Sequence, residues 1–156
     1  FFIEKMWICN NYLRSSLIRQ YIRNMSSQIQ TVNTTKAPSA LGPYSQAIIA
    51  NGFVFASGQI PVVPETGNII SEDVKEQTRQ VIKNLTNVLE EANSSLSQVV
   101  KTTVFIKDMN DFSSVNEIYA ECFGGSRPAR ACVEVSRLPK DVKVEIEAVA
   151  LVSNAE

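Results

Sequence analysis

The chain has 156 residues, 44% of them apolar and 20% charged, with a formal net charge of −1. This composition is typical of a soluble globular protein, and no apolar run approaches the roughly 18 residues that a membrane span needs. The absence of histidine excludes Ser-His and Cys-His nucleophile pairs and histidine metal ligands. The three cysteines form no CxxC motif and no phosphate-binding glycine motif occurs, so we expect no metal and no nucleotide cofactor.

The first 25 residues differ in composition from the rest of the chain. No Asp or Glu occurs from residue 6 to residue 64. The first third of that stretch contains Arg14, Arg19 and Arg23. A segment rich in arginine and poor in acids is typical of a mitochondrial presequence. We therefore predict that residues 1–25 target the protein to the mitochondrial matrix. If translation instead starts at Met25, residues 1–24 are an untranslated leader and the protein is cytoplasmic.

Charge also separates this segment from the remainder. Residues 1–24 contain four basic residues and one acidic residue, a net charge of +3. Because the whole chain has a net charge of −1, residues 25–156 carry −4. A domain of this sign is poorly suited to the phosphate backbone of a nucleic acid, so we expect no nucleic-acid partner.

From residue 26 onward no linker or repeat interrupts the chain, which predicts a single domain over residues 26–156. The pattern predicts a short strand at 29–34 and a loop at 36–46. Residues 47–60 are typical of a hairpin that turns at Asn51-Gly52, because this dipeptide favours the tight turns between antiparallel strands.

Helices and strands alternate in the second half of the chain. Apolar residues at spacings of three and four predict a helix at 73–92, and β-branched residues predict a strand at 99–108. A second helix is predicted at 111–123, followed by strands at 128–136 and 143–152. Both helices can cover one face of one mixed sheet, so we predict an α+β domain, a two-layer sandwich.

The last two strands flank Leu-Pro-Lys-Asp, which predicts a hairpin with Pro139 in the second position of a tight turn. Such a hairpin divides the side chains into two faces. The face toward the helices would contain Val133, Val135, Val144, Ile146 and Ala148. The opposite face would contain Arg130, Cys132, Glu134, Glu145, Glu147, Val149 and Leu151. A face that is both charged and apolar indicates contact with another subunit rather than with water.

Four segments carry a resemblance to a known family: GPYSQA (42–47), ASGQIP (56–61), VVKTTVFIKDMNDFSSVNEIYAECF (99–123) and RPARACVEVSRLPKDVKVEIEAVA (127–150). In this order they resemble the RidA branch of the Rid family, also called YjgF-like proteins, over essentially all of residues 28–152.

The resemblance implies a fold, an assembly and an activity. The fold is chorismate-mutase-like, and the assembly is a homotrimer whose active sites lie between subunits and use no metal or organic cofactor. The activity is an enamine/imine deaminase that converts 2-iminobutanoate and 2-iminopropanoate, released by threonine and serine dehydratases, to 2-keto acids and ammonia. The implied partners are therefore small 2-imino and 2-keto carboxylic acids, in a reaction linked to isoleucine biosynthesis, with no membrane involved.

The resemblance also implies roles for individual residues. Arg130, the arginine of the PAR motif, would grip the substrate carboxylate, a task that suits its planar fork of donors. Glu145, the first glutamate of VEIEA, would partner the hydrolytic water. The other matching positions are Tyr44, also assigned to catalysis, and the substrate-binding residues Cys132, Ser57, Gly58 and Asn116. RidA members often have an aromatic residue just before PAR and a longer segment leading to it, whereas this chain has a short segment that ends in Arg127. This difference leaves the pocket for the substrate side chain undefined.

Alternatives remain open from the residues alone. Arg130 could form an inter-strand ion pair with Glu145 or Glu147, and Cys132 could be a small buried filler. Without a histidine to activate the thiol, covalent catalysis by Cys132 is not expected. The alternative functions are a non-catalytic metabolite-binding or chaperone-like trimer, and a translation-inhibitor or ribonuclease activity. The −4 charge and the absence of a histidine base argue against the last of these.

Overall fold

Six strands and two helices form most of residues 29–153, the residues that this computed structural model describes. The strands are β1 (Gln30–Val32), β2 (Ala47–Ala50), β3 (Phe53–Gln59), β4 (Val99–Ile106), β5 (Ala129–Glu134) and β6 (Val144–Leu151). The helices are α1 (Val74–Glu91) and α2 (Phe112–Phe123). Neither helix in this part of the chain has the length and apolarity of a membrane span. The targeting segment predicted at 1–25 lies outside the described residues and stays a prediction.

The strands form one mixed sheet in the order β1-β2-β3-β6-β4-β5. Neighbouring strands are antiparallel except β4 and β5, which are parallel. The predicted hairpin between β2 and β3 is confirmed, and Asn51 and Gly52 adopt positive φ angles of 52° and 78° at its turn. The predicted α+β class, with a mixed sheet and two helices, is therefore also confirmed.

Both helices bury an apolar stripe against the same side of the sheet. Helix α1 begins where the Asp73 carboxylate accepts a hydrogen bond from the backbone N–H of Glu76 at 3.0 Å, a typical N-cap. The shared core contains Leu85 and Leu89 of α1, Val115, Tyr119 and Phe123 of α2, and Val104, Ile106, Val144 and Ile146 of the sheet. Two ion pairs, Lys75–Glu117 and Arg79–Glu121, join the exposed sides of the helices.

The predicted hairpin between the last two strands is wrong. Pro139 does begin a tight turn, but the chain then passes beyond β4, so β4 lies between β5 and β6. Val104 of β4 is consequently the register partner of both Cys132 and Ile146. Neighbouring partners in a sheet point to the same face, so Cys132 and Arg130 lie on the side of the helices.

The predicted faces are therefore right for β6 and wrong for β5. On β6, Val144, Ile146 and Ala148 are buried under the helices as expected, and Glu145 and Glu147 point to the opposite, open face. On β5, however, Val133 shares the open face with Glu145 through their common partner Phe105. The open face also exposes Phe53, Phe55 and Leu151, so it remains partly apolar and partly acidic.

Candidate active site

Arg130 stands at the edge of the sheet, beside α2. Its register partner on β4 is Thr102, which is buried beneath the helix. The Arg130 Nη2 atom donates a hydrogen bond to Oδ1 of Asn116 at 2.9 Å. The guanidinium carbon lies 4.7 Å from the centroid of the Tyr119 ring, a cation–π distance. Asn116 and Tyr119 thus hold an exposed guanidinium whose other N–H groups have no hydrogen-bond partner among residues 29–153.

Tyr119 is itself fixed from two sides. Its ring stacks on Phe123 with the ring centroids 4.2 Å apart and the planes at 16°. Its hydroxyl shares a hydrogen bond of 2.8 Å with the hydroxyl of Thr102. Burial raises the pKa of the Tyr119 phenol, so the ring beneath Arg130 is uncharged. In the sequence, Tyr119 follows Val115 by four residues, which predicts a shared apolar helix face, but this spacing could not show that the ring supports Arg130.

Cys132 lies two residues from Arg130 on the same face and packs partly against the core. Burial raises the pKa of its thiol, although the charge of Arg130 acts in the opposite direction. A thiol with a raised pKa is a poor nucleophile at neutral pH. A nucleophilic role for Cys132 therefore stays unexpected, and its place in the lining of the site stays a prediction.

Glu145 and Gly58 are in close contact on the open face. A Cβ atom added to Gly58 would lie 2.8 Å from Cδ of Glu145 and closer still to its Oε1 atom, so only glycine leaves room for the carboxylate. Burial first, and the neighbouring charge of Glu147 second, raise the pKa of Glu145. A half-buried carboxyl group with a raised pKa holds its proton more firmly than an exposed one, and it can exchange that proton with a substrate.

Tyr44 and Ser57 lie near Gly58, the residue in contact with Glu145, but their side chains have different surroundings. Tyr44 is half exposed and lines, with Gly58, a cleft of about 200 Å³. Its hydroxyl accepts a hydrogen bond from the backbone N–H of Leu41 at 3.2 Å. The Ser57 hydroxyl instead donates to the carbonyl of Ser45 at 2.7 Å, which ties the Tyr44 segment to β3. Ser57 therefore has a structural partner already, whereas Tyr44 faces open space.

The buried amide of Gln46 also positions the segment that contains Tyr44, a role that the sequence analysis did not identify. The Gln46 side chain donates to the carbonyls of Thr34, Ala37 and Pro38 at 3.1, 3.3 and 2.8 Å. Its Oε1 atom accepts from the N–H of Thr34 at 2.6 Å. Gln46 is only 3% exposed, so these bonds replace the water that its amide loses on folding. The only signal for this role was an amide at the edge of an apolar strand.

The predicted site residues thus form two groups that one chain does not bring together. Arg130, Asn116 and Cys132 lie on or beside the helix side of the sheet, and Glu145 lies on the open side beside Gly58. The alternative ion pair is not formed, because the ion pairs within residues 29–153 are Lys75–Glu117, Arg79–Glu121 and Arg137–Asp141. The same residues contain no cluster of three or more Cys, Asp or Glu side chains that could hold a metal ion. We call the two groups the arginine half-site and the glutamate half-site.

A mixed sheet under two helices, with separate cationic and acidic half-sites, defines a small α+β domain. A family model described as Endoribonuclease L-PSP matches residues 34–152. The chain therefore belongs to this family, the YjgF or Rid family.

Individual relatives are similar over nearly their whole length. A RutC family protein of Pyrococcus abyssi is 58% identical over 121 residues, which cover 78% of this chain and 95% of that protein. The 2-iminobutanoate/2-iminopropanoate deaminase of Salmonella typhimurium is 50% identical over 125 residues, which cover 78% and 97%. The crystal structure of E. coli TdcF with bound serine has a TM-score of 0.76 and 46% identity, over 80% of this chain and 99% of that chain.

Proposed function

We propose that the protein is an imine deaminase that hydrolyses 2-iminobutanoate and 2-iminopropanoate to 2-keto acids and ammonia. The observation that carries this proposal is the pair of half-sites, because hydrolysis of an imino acid needs a carboxylate clamp and a group that moves protons. The name of the Salmonella relative supports the reaction, and the serine bound to the E. coli relative supports a ligand of amino-acid size.

Arg130 binds the substrate carboxylate in this proposal. Its guanidinium is already oriented by Asn116 and Tyr119, so little side-chain freedom is lost when the substrate binds. The carboxylate then forms charge-assisted hydrogen bonds with the free N–H groups. This contact fixes the position of the imine carbon relative to the rest of the site.

Glu145 moves the protons. Its carboxylate takes a proton from a water molecule as the water oxygen bonds to the imine carbon, and it gives that proton to the imine nitrogen as the C=N π electron pair becomes an N–H bond. In the resulting carbinolamine, Glu145 takes the hydroxyl proton and gives it to the amino group, so that ammonia leaves as the C–N bond breaks and the C=O bond forms. A raised pKa suits both steps, because Glu145 must accept a proton and later return it. Tyr44 lines the same cleft as Gly58, and in this proposal its hydroxyl orients the water or the leaving ammonia.

The complete site requires two chains. The arginine half-site of one subunit meets the glutamate half-site of the next in a homotrimer, and the apolar and acidic open face is covered by neighbouring subunits. The exposed Phe53, Phe55, Val133 and Leu151 of that face support the assembly. A molecular mass of one chain in light scattering at micromolar concentration would contradict it.

Subunit mixing tests the shared site. Arg130→Gln and Glu145→Gln should each be inactive alone, because each removes one half of every site. After the two variants are unfolded together and refolded, roughly one quarter of the sites should have both intact halves if subunits assort at random around a ring. Each variant refolded alone is the control and should stay inactive. Recovery no greater than this control would contradict a site built from two subunits.

The reaction itself is tested with threonine and a threonine dehydratase, which release 2-iminobutanoate. The protein should accelerate formation of 2-oxobutanoate beyond the spontaneous rate, and Arg130→Gln should abolish the acceleration. Cleavage of RNA by the same preparation, with no effect on the imine, would favour the ribonuclease alternative. Binding of 2-oxobutanoate without acceleration would favour a metabolite-binding protein.

A further inference from the structure

A concavity beside Arg130 contains a second arginine. Its volume is about 460 Å³, within the range of small-molecule sites, and its nine lining residues include Asn116, Arg127 and Arg130. None of the nine is acidic. The proposed clamp uses Arg130 and Asn116, so Arg127 has no role in the reaction described above.

The acidic residues of α2 do not neutralise this concavity. Glu117 and Glu121 of α2 form ion pairs with Lys75 and Arg79 of α1, at 2.7 and 2.6 Å. Among residues 29–153, Arg127 takes part in no side-chain hydrogen bond and no ion pair. Two guanidinium groups therefore line one concavity of a domain whose net charge is otherwise negative. A ligand with two negative charges would relieve their mutual repulsion.

The spacing of the arginines suits a short dianion. Two residues lie between Arg127 and Arg130, so their Cα atoms are at most about 11 Å apart. Pro128 lies between them and restricts the backbone to one narrow range of φ. Two arginine side chains that enter one concavity from this distance can each bind one carboxylate of a four- or five-carbon dicarboxylate.

We propose that Arg127 binds a second carboxylate, so that the site favours 2-imino dicarboxylic acids over 2-imino monocarboxylic acids. This inference rests on the proposed function, because Arg130 must bind the carboxylate next to the imine. The reaction is unchanged: water adds to the imine carbon, the C–N bond breaks, and ammonia and a 2-keto dicarboxylic acid leave. Arg127 determines specificity and does not touch the reacting atoms.

The test compares two substrates made in place by amino-acid oxidases, the imine of aspartate and the imine of alanine. The ratio of their kcat/KM values should fall roughly 10- to 100-fold in Arg127→Gln, the loss expected for one charge-assisted contact. Arg127→Lys keeps the charge and should retain part of the ratio. Arg137→Gln removes an exposed arginine that pairs with Asp141 outside the concavity, and it should leave the ratio unchanged. All variants should have the melting temperature of the wild type, because both arginines are exposed.

The outcomes separate this inference from the proposed function. A wild-type ratio in Arg127→Gln, or faster hydrolysis of the phenylalanine imine than of the aspartate imine, would overturn the role of Arg127. Failure of the wild type to hydrolyse either imine would instead overturn the proposed function. Calorimetry then gives an independent readout, since Arg127→Gln should weaken binding of 2-oxoglutarate about tenfold or more relative to 2-oxobutanoate. Equal affinities of the wild type for these two acids would overturn the second carboxylate contact itself.

Discussion

The guanidinium of Arg130 lies over the ring of Tyr119, with 4.7 Å between the guanidinium carbon and the ring centroid. The same ring stacks on Phe123 through its other face, and its hydroxyl is bonded to the buried Thr102. An exposed arginine at a sheet edge normally samples many rotamers, and each rotamer lost on binding weakens affinity. The aromatic support therefore gives a surface residue a defined position, as the proposed carboxylate contact requires.

Tyr119→Leu should weaken substrate binding while leaving the chemical step intact. The leucine fills part of the space but removes the cation–π contact, which is worth about 0.5–2 kcal/mol. We expect KM to rise by up to roughly 30-fold with kcat changed by less than about threefold, because 1.4 kcal/mol corresponds to tenfold in binding. Tyr119→Phe keeps the ring and should keep KM near the wild-type value. Equal increases of KM in both variants would contradict a role for the ring.

The hydroxyl of Tyr119 contributes to stability rather than to binding. Tyr119→Phe leaves the Thr102 hydroxyl, on a residue 1% exposed, without its partner. We expect the free energy of unfolding to fall by about 1–3 kcal/mol, the usual effect of an unpaired buried polar group. Adding Thr102→Val removes that group, so the double variant should be more stable than Tyr119→Phe alone. Additive losses in urea unfolding would contradict this coupling.

The faces of β5 and β6 show how far the sequence could predict this site. On β6 the alternation of Val144, Ile146 and Ala148 with glutamates matched the buried face, because β6 is central and lies under both helices. On β5 the same rule placed Val133 inside, yet Val133 is 41% exposed. As an edge strand, β5 takes its register from β4, a non-local pairing that alternation does not report.

The wrong prediction of a hairpin between β5 and β6 also concealed that Arg130 and Glu145 lie on opposite faces of the sheet. If β5 and β6 formed a hairpin, Arg130 and Glu145 would share a face, and one chain could hold both. The insertion of β4 between the strands reverses the face of β5 and separates the two residues. The candidate residues themselves came from local motifs. Their placement on opposite sides depended on strand order, which local motifs do not contain.

Gly58→Ala should displace the carboxylate of Glu145 and lower kcat. The new methyl group would take space that the carboxyl oxygens occupy, so the Glu145 side chain must rotate away. We expect kcat to fall at least about tenfold, since misplacing a catalytic group by about 1 Å can reduce rates up to 100-fold. Gly125→Ala is the matched control, because a Cβ there meets no atom within 4 Å. A full rate in Gly58→Ala would show that the position of Glu145 is not critical.

Cys132→Ala should retain substantial activity. Burial raises the pKa of the Cys132 thiol, so little thiolate is present at neutral pH. We expect kcat/KM with 2-iminobutanoate to stay within about tenfold of the wild type, with the loss caused by altered packing beside Arg130. Cys122→Ala, which removes a partly buried thiol from α2, is the control for packing alone. Complete inactivity of Cys132→Ala with an intact fold would point to thiol chemistry instead.

The pH dependence of the reaction should report the interaction between Glu145 and Glu147. In the proposed mechanism Glu145 acts as a base, so kcat/KM should rise with pH as its carboxyl group loses a proton. Burial and the negative charge of Glu147 raise the pKa of Glu145 above the ordinary value of 4.5, because both disfavour the carboxylate form. Glu147→Gln removes the charge and leaves the burial. The pKa of Glu145 should therefore decrease, and the rising limb of the profile should move to lower pH.

Two variants make this pH measurement specific. Glu91→Gln removes an equal charge from the exposed end of α1 and should leave the limb in place, which excludes an effect of net charge alone. Glu145→Gln removes the titrating group, so any residual activity should lose the limb altogether. A limb that stays fixed in Glu147→Gln, or that persists in Glu145→Gln, would assign the titration to another group. Such a result would require a base other than Glu145, the half-buried carboxyl group whose pKa is raised by burial.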